Sequence, residues 1–135
     1  MIDPQELQLN LAQFTGSEEY HKHFTGLRYT DGVHYLAQAA ECYWLIDAIA
    51  SHQIGPKIRG NANLKQFQLW YLHVGKSHEF IKPKGKNQAI LTCWADSPSE
   101  NTRPIVTQQI AFTDFPLLEI KIYLEMGVIL LPSER

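Results

Sequence analysis

Phe67-Gln68-Leu69-Trp70-Tyr71-Leu72-His73-Val74 is the stretch whose reading decides the fold class. Taken two residues at a time, it places Phe67, Leu69, Tyr71 and His73 on one side. Gln68, Trp70, Leu72 and Val74 fall on the other. That period is a strand's, because successive side chains of an extended chain point to opposite faces. C-terminal to it, Ala89–Trp94 reads as a second strand and Ile105–Phe112 as a third, rich in β-branched residues. Asp96 to Pro104, with Ser97-Pro98, is the turn between these two. In Glu119–Leu124, Ile120, Ile122 and Leu124 alternate with charged or amphipathic residues. With Glu125-Met126-Gly127 as a turn into Val128–Leu131, this predicts a hairpin. A helix over residues 116–126, closed by Gly127, is the competing reading.

N-terminal to that strand the period changes. From Thr30-Asp31-Gly32 onward, Val33, Leu36, Ala37, Ala40, Trp44 and Ala48 fall on one helical stripe, capped by Asp31 or Thr30. Beyond Glu41 the opposite face is apolar too, through Leu45 and Ile49, so Tyr43–Ala50 should be deeply packed. A kink at Ala40–Cys42 fits this pattern, and Gly55-Pro56 marks the stop. A short first helix starts with Asp3 as cap and Pro4 at the first position and ends near Ala12. Residues 13–30 read as irregular. The expectation is one α+β domain over residues 1–135, with N-terminal helices on one face of a mostly antiparallel sheet of about five strands.

Composition agrees with a packed domain: 44% of residues are hydrophobic and 19% charged. The N-terminus has no basic region followed by an apolar one, and no apolar run approaches a membrane span of roughly 18–20 residues. Cys42 and Cys93 sit in apolar contexts outside any CxxC pair, which reads as reduced, buried thiols in a cytoplasmic protein.

Several segments together resemble a small, uncharacterised bacterial family whose members are about this long. They are Leu27-Arg28-Tyr29-Thr30-Asp31-Gly32-Val33-His34-Tyr35-Leu36, Tyr43-Trp44-Leu45-Ile46-Asp47-Ala48-Ile49-Ala50, Phe67-Gln68-Leu69-Trp70, Phe112-Thr113-Asp114-Phe115-Pro116-Leu117 and Leu130-Leu131-Pro132-Ser133-Glu134. The resemblance implies no activity, cofactor or catalytic residue.

The candidate sites therefore come from the residues alone. Asp47 lies on or near the stripe of Leu36, Ala40 and Trp44. A carboxylate there is an acid of raised pKa lining a pocket, a structural acid bound by Arg28, a tyrosine or loop amides, or the mark of a helix rotated to water. His21 and His23, two apart, could present both imidazoles to a metal from one strand face. No carboxylate stands at a matching spacing, so they read as solvated loop histidines, and no metal or cofactor is expected. Asp31 and Asp114 read as a cap and a turn former rather than an acid–base pair. No nucleophile elbow, P-loop or GxGxxG occurs.

Net charge is −2, but unevenly spread. Residues 57–86 carry Lys57, Arg59, Lys65, Lys76, Lys82, Lys84 and Lys86 against Glu79 alone, a net of +6. With Trp70 and its aromatic neighbours as stacking platforms, Lys82, Lys84 and Lys86 suit single-stranded nucleic acid. The plainer reading is lysines that flank strand ends for solubility. The leading expectation is a non-enzymatic binding or accessory protein acting through a protein partner or as a homodimer. Nucleic-acid binding and an enzyme with a pocket around Asp47 are the alternatives.

Overall fold

The computed structural model describes residues 2–75, 87–99 and 101–135. The elements are α1 (Pro4–Ala12), β1 (Tyr20–Lys22), β2 (Arg28–Thr30), α2 (Asp31–Ala39), α3 (Tyr43–His52), α4 (Pro56–Arg59), β3 (Phe67–Val74), β4 (Ala89–Trp94), β5 (Val106–Ile110), β6 (Glu119–Glu125) and β7 (Val128–Leu130). Short 3₁₀ turns occupy Ala62–Lys65 and Pro132–Glu134. Among the described residues the strands form one sheet in the order β1-β2-β7-β6-β3-β4-β5. Every neighbouring pair is antiparallel except β2–β7. The class is α+β as expected, but the sheet has seven strands rather than five and is mixed. Both extra strands, β1 and β2, lie within the stretch read as irregular.

Asp3 caps α1, its Oδ2 accepting from the backbone N–H groups of Gln5 (3.1 Å) and Glu6 (3.2 Å). Thr30 caps α2 by accepting from Val33 N–H at 3.3 Å. The expected kink is a full break. The chain leaves the helix at Ala40, Glu41 takes a positive φ of 51°, and α3 starts at Tyr43. The hairpin reading of the C-terminus holds: β6 pairs with β7 across Met126 (φ 51°) and Gly127 (φ 81°). Positive φ at both central residues matches the right-handed twist of the flanking strands.

The main core lies between the helices and the sheet. Leu36 and Ala37 of α2, and Leu45, Ile46 and Ile49 of α3, meet Trp70 and Leu72 of β3, Leu91 of β4 and Ile122 of β6. On the opposite face Leu69, Tyr71 and Trp94 form a second buried cluster beside Phe67, Ile90 and Tyr123. Gln68, 2% exposed, is a buried polar residue on the helix side. It donates to Gln53 Oε1 and to the Leu64 carbonyl (both 2.8 Å), and its Oε1 accepts from Gln53 Nε2 (2.9 Å) and from the Trp70 indole N–H (2.8 Å). A buried amide is tolerated when its donors and acceptor are matched this way.

The C-terminus clamps the start of α2. Glu134 Oε1 accepts from Thr30 Oγ1 (2.6 Å) and Leu131 N–H (3.0 Å), while Oε2 accepts from Gly32 N–H (3.2 Å). A carboxylate at a helix N-terminus satisfies orphan donors and meets the positive end of the dipole. Gly32 leaves room for this close approach, since a Cβ there would lie 2.6 Å from Glu134 Oε1 and 2.7 Å from Leu131 Cδ1 and would push these side-chain ends aside.

Candidate functional site

Among the described residues, a cluster of titratable side chains is built on the β1–β2 hairpin and the first turns of α2 and α3. Pairing of His21 with Tyr29 across the hairpin puts both rings beside the start of α2. His34, one turn into α2, stacks flat on His21 with ring centroids 4.0 Å apart and planes within 9°. Tyr29 lies 5.4 Å from His21, and Tyr43 meets His34 edge-on at 6.4 Å. The Tyr29 hydroxyl is pushed above its usual value by burial first, then by Tyr43 and Asp47.

Two histidine–carboxylate pairs organise this face. His21 Nε2 lies 3.0 Å from Asp31 Oδ1. Asp31 Oδ2 accepts from the backbone N–H groups of Glu18 (3.2 Å) and Glu19 (3.4 Å). The His21 hydrogen bond, helped by these amides, holds the Asp31 carboxyl below its usual range. One Glu19 oxygen joins them, the ligand atoms of Glu19, His21 and Asp31 all lying within 4.8 Å of one another. His34 is held toward the neutral form, by burial first and then by the nearby His21 charge. Its Nδ1 is buried without a hydrogen-bond partner, a placement that costs roughly 1–3 kcal/mol.

His23, only 8% exposed, is tied at both ring nitrogens. Nδ1 accepts from Thr25 N–H (3.2 Å) and meets Thr25 Oγ1 (2.8 Å). Because a backbone N–H can only donate, the ring proton sits on Nε2 and is given to Asp47 Oδ1 at 2.7 Å. Phe24, next to it at the hairpin tip, is 89% exposed.

These contacts correct one expectation and, for Asp47, decide among the alternatives in favour of the helix turned to water. His21 and His23 are not solvated loop histidines; each is held by a carboxylate remote in sequence. Asp47 does not share the buried stripe, since its side chain is 63% exposed. The break at Glu41 resets the helical phase, so α3 buries Leu45, Ile46, Ile49 and Ala50 and turns Asp47 to solvent. The partner the structure gives Asp47 is His23, which was not among those considered from the sequence.

The other distinctive region is the far edge of the sheet. Among the described residues β5 pairs with β4 alone. A groove of about 510 Å³ runs beside it, lined by Trp44 and Ala48 of α3, Gln108 and Ile110 of β5, and the acids Glu41 and Asp114. Phe112, at the end of the edge, is 70% exposed. Asp31 and Asp114 thus belong to different sites and form no acid–base pair.

Trp70, expected as a stacking platform, is 1% exposed inside the core. A ring packed on both faces with its N–H satisfied has no surface to offer a base. Lys57, Arg59 and Lys65 are exposed. Lys82, Lys84 and Lys86, which carried the nucleic-acid reading, lie outside the described residues, as does Lys76. Cys42 and Cys93 are buried free thiols, each pushed up to about 12 by burial, which leaves little thiolate at neutral pH. No helix among the described residues is long and apolar enough to cross a membrane.

The hairpin site was invisible in sequence because its members are scattered: Glu19 and His21 on β1 and the loop before it, Asp31 and His34 on α2, Asp47 on α3. The local signals were the two-apart pair His21 and His23, whose carboxylate partners the spacing did not reveal, and Asp31-Gly32, which signalled a helix start.

No curated protein and no solved structure matches the chain. The model of one protein family does match it, over residues 5–135. On that match, which leaves out only the first four residues, the chain belongs to the family of unknown function DUF6876.

Proposed function

We propose that this chain is a non-enzymatic binding protein that works as a homodimer, two copies joining edge to edge through antiparallel pairing of β5. The observation that carries this reading is the composition of that edge. Ile105–Phe112 contains no charged residue, no proline and no glycine, the devices that natural sheets use to blunt an open strand. Thr107 and Gln109 stand exposed along it. A strand paired antiparallel with its own copy about a twofold axis makes a closed, self-complementary interface.

Magnitudes say what else the interface needs. Roughly four to six new backbone hydrogen bonds at about 1 kcal/mol each do not outweigh association costs of about 4–15 kcal/mol. Apolar burial has to supply the difference. Phe112, Ile110 and the Trp44 side of the groove border the edge and offer that surface. Against an enzyme stands the solvation of Asp47, the acid on which a catalytic reading would rest.

Light scattering on the eluting protein, over micromolar to millimolar loading, tests the proposal. The expected mass is twice the 15.5 kDa chain, falling to the single-chain value when Thr107→Lys and Gln109→Lys are combined. A single-chain mass for the unaltered protein across that whole range would sink it.

A further inference from the structure

The geometry points to a divalent transition-metal site at the β1 edge, in which Glu19, His21 and Asp31 hold an ion such as Zn²⁺ and His34 fixes the His21 ring. This goes beyond the dimer proposal and does not depend on it.

The argument starts from ligand spacing. With metal–ligand bonds of about 2.0–2.1 Å, neighbouring ligand atoms around one ion lie roughly 2.9–3.4 Å apart, octahedral at the short end and tetrahedral at the long end. His21 Nε2 and Asp31 Oδ1 are 3.0 Å apart. The pair is therefore already at the separation two ligands adopt, and the proton they share has to leave when an ion binds. The Glu19 oxygen lies within 4.8 Å of both. Its side chain is exposed, so no packing opposes a change of rotamer toward the pair.

The donor set and its supports fit the same ion. One imidazole and two carboxylates suit Zn²⁺ and its first-row neighbours better than Ca²⁺, which prefers all-oxygen sites of higher coordination. Three protein ligands leave an open position for water, as in non-structural zinc sites. The supports are independent of the acids. Two backbone amides hold Asp31 Oδ2, which keeps Oδ1 facing His21. The His34 ring lies flat against His21 at 4.0 Å and fixes the plane in which Nε2 points. Outer contacts of this kind orient metal ligands and are a recurrent part of such sites. His23 is not a ligand, because both its nitrogens are engaged by Thr25 and Asp47. Binding displaces the proton between His21 and Asp31. Affinity should therefore fall as pH drops, with Glu19, Asp31, His34 and Tyr29 as the ionisable groups facing His21.

The experiment is a Zn²⁺ titration of the full chain, freed of metal by chelator, against a chromophoric zinc indicator. His21→Ala and the milder, exposed Glu19→Gln are run beside it. One ion per chain is expected, weakened about a hundredfold by His21→Ala and about tenfold by Glu19→Gln, the order of effect that altered metal-site contacts produce. Circular dichroism confirms that the variants remain folded, and Co²⁺ loading adds a visible band that both variants should diminish. Absence of Zn²⁺ binding by the unaltered chain overturns the proposal. So does binding that both variants leave unchanged.

Discussion

The two edges of the sheet are built on opposite principles. β1 is three residues long, carries His21, ends in Lys22, and is bordered by Glu19 and the carboxylates of Asp31 and Asp47. β5 is five residues long and sits within an eight-residue stretch without a formal charge. At β1 charge and histidine chemistry make strand addition unfavourable and gather groups that bind a cation. Among the described residues β5 itself carries no charge to repel a second strand, and apolar surface lies next to it. On the two proposals above, where the charges fall assigns one edge to ligand chemistry and the other to association.

The largest effect should come from breaking the β1 edge alone. Gly32→Val puts side-chain carbon into the space held by Glu134 and Leu131, so the clamp on α2 must open. The loss should be about 3 kcal/mol of unfolding free energy, read from the denaturation midpoint, with Zn²⁺ affinity falling and the dimer mass kept. Loss of the dimer as well would mean that the edges are coupled. The complementary change, Phe112→Ala, should leave stability nearly intact and weaken dimerisation by about 2 kcal/mol, roughly thirtyfold in Kd, measured by sedimentation equilibrium. An unchanged Kd would move the interface away from β5.

A smaller effect separates the edges by pH. His34 is held below its ordinary value of 6.5, mainly by burial, and Asp31 below its ordinary 3.8, mainly by the hydrogen bond from His21. A depressed value in the folded state means that stability is complete above the ordinary value and lost as pH falls through the folded one. The β1 edge should thus loosen in two stages, the first starting below about 6.5 and the second below about 3.8. At β5 no strand residue titrates, though His52 Nε2 contacts Gln108 Oε1 at 2.7 Å. Amide hydrogen exchange should therefore accelerate first at Tyr20–Lys22, and equal acceleration at Val106–Ile110 would erase the distinction.

Much of this architecture was legible because it is local. The alternation in Phe67–Val74 and Ile120–Leu124 belongs to the extended chain itself, and Asp3, Thr30 and Gly127 act within a few residues of their own positions. The break at Ala40–Cys42 was legible as a kink, but its consequence was not. A helical wheel carried past Glu41 assigns Asp47 to the wrong face, because a positive φ rotates everything that follows. β1 and β2 were missed for a related reason. Three residues are too few to show a period, and β2 becomes a strand through parallel pairing with β7, about a hundred positions away.

The sequence by itself thus determined the fold class, the long strands and the starts of the first two helices, since each rests on periodicity or on contacts between near neighbours, while it left the C-terminal hairpin open against a helix over residues 116–126. Only the tertiary structure decided which strands are edges, that Trp70 is core, that Asp47 is solvated, and that Glu19, His21 and Asp31 converge. The physical reason is that burial and ligand geometry are properties of distances between remote residues. In this chain those distances are set by the order in which the strands pair and by a carboxylate at residue 134 holding the start of a helix at residue 31.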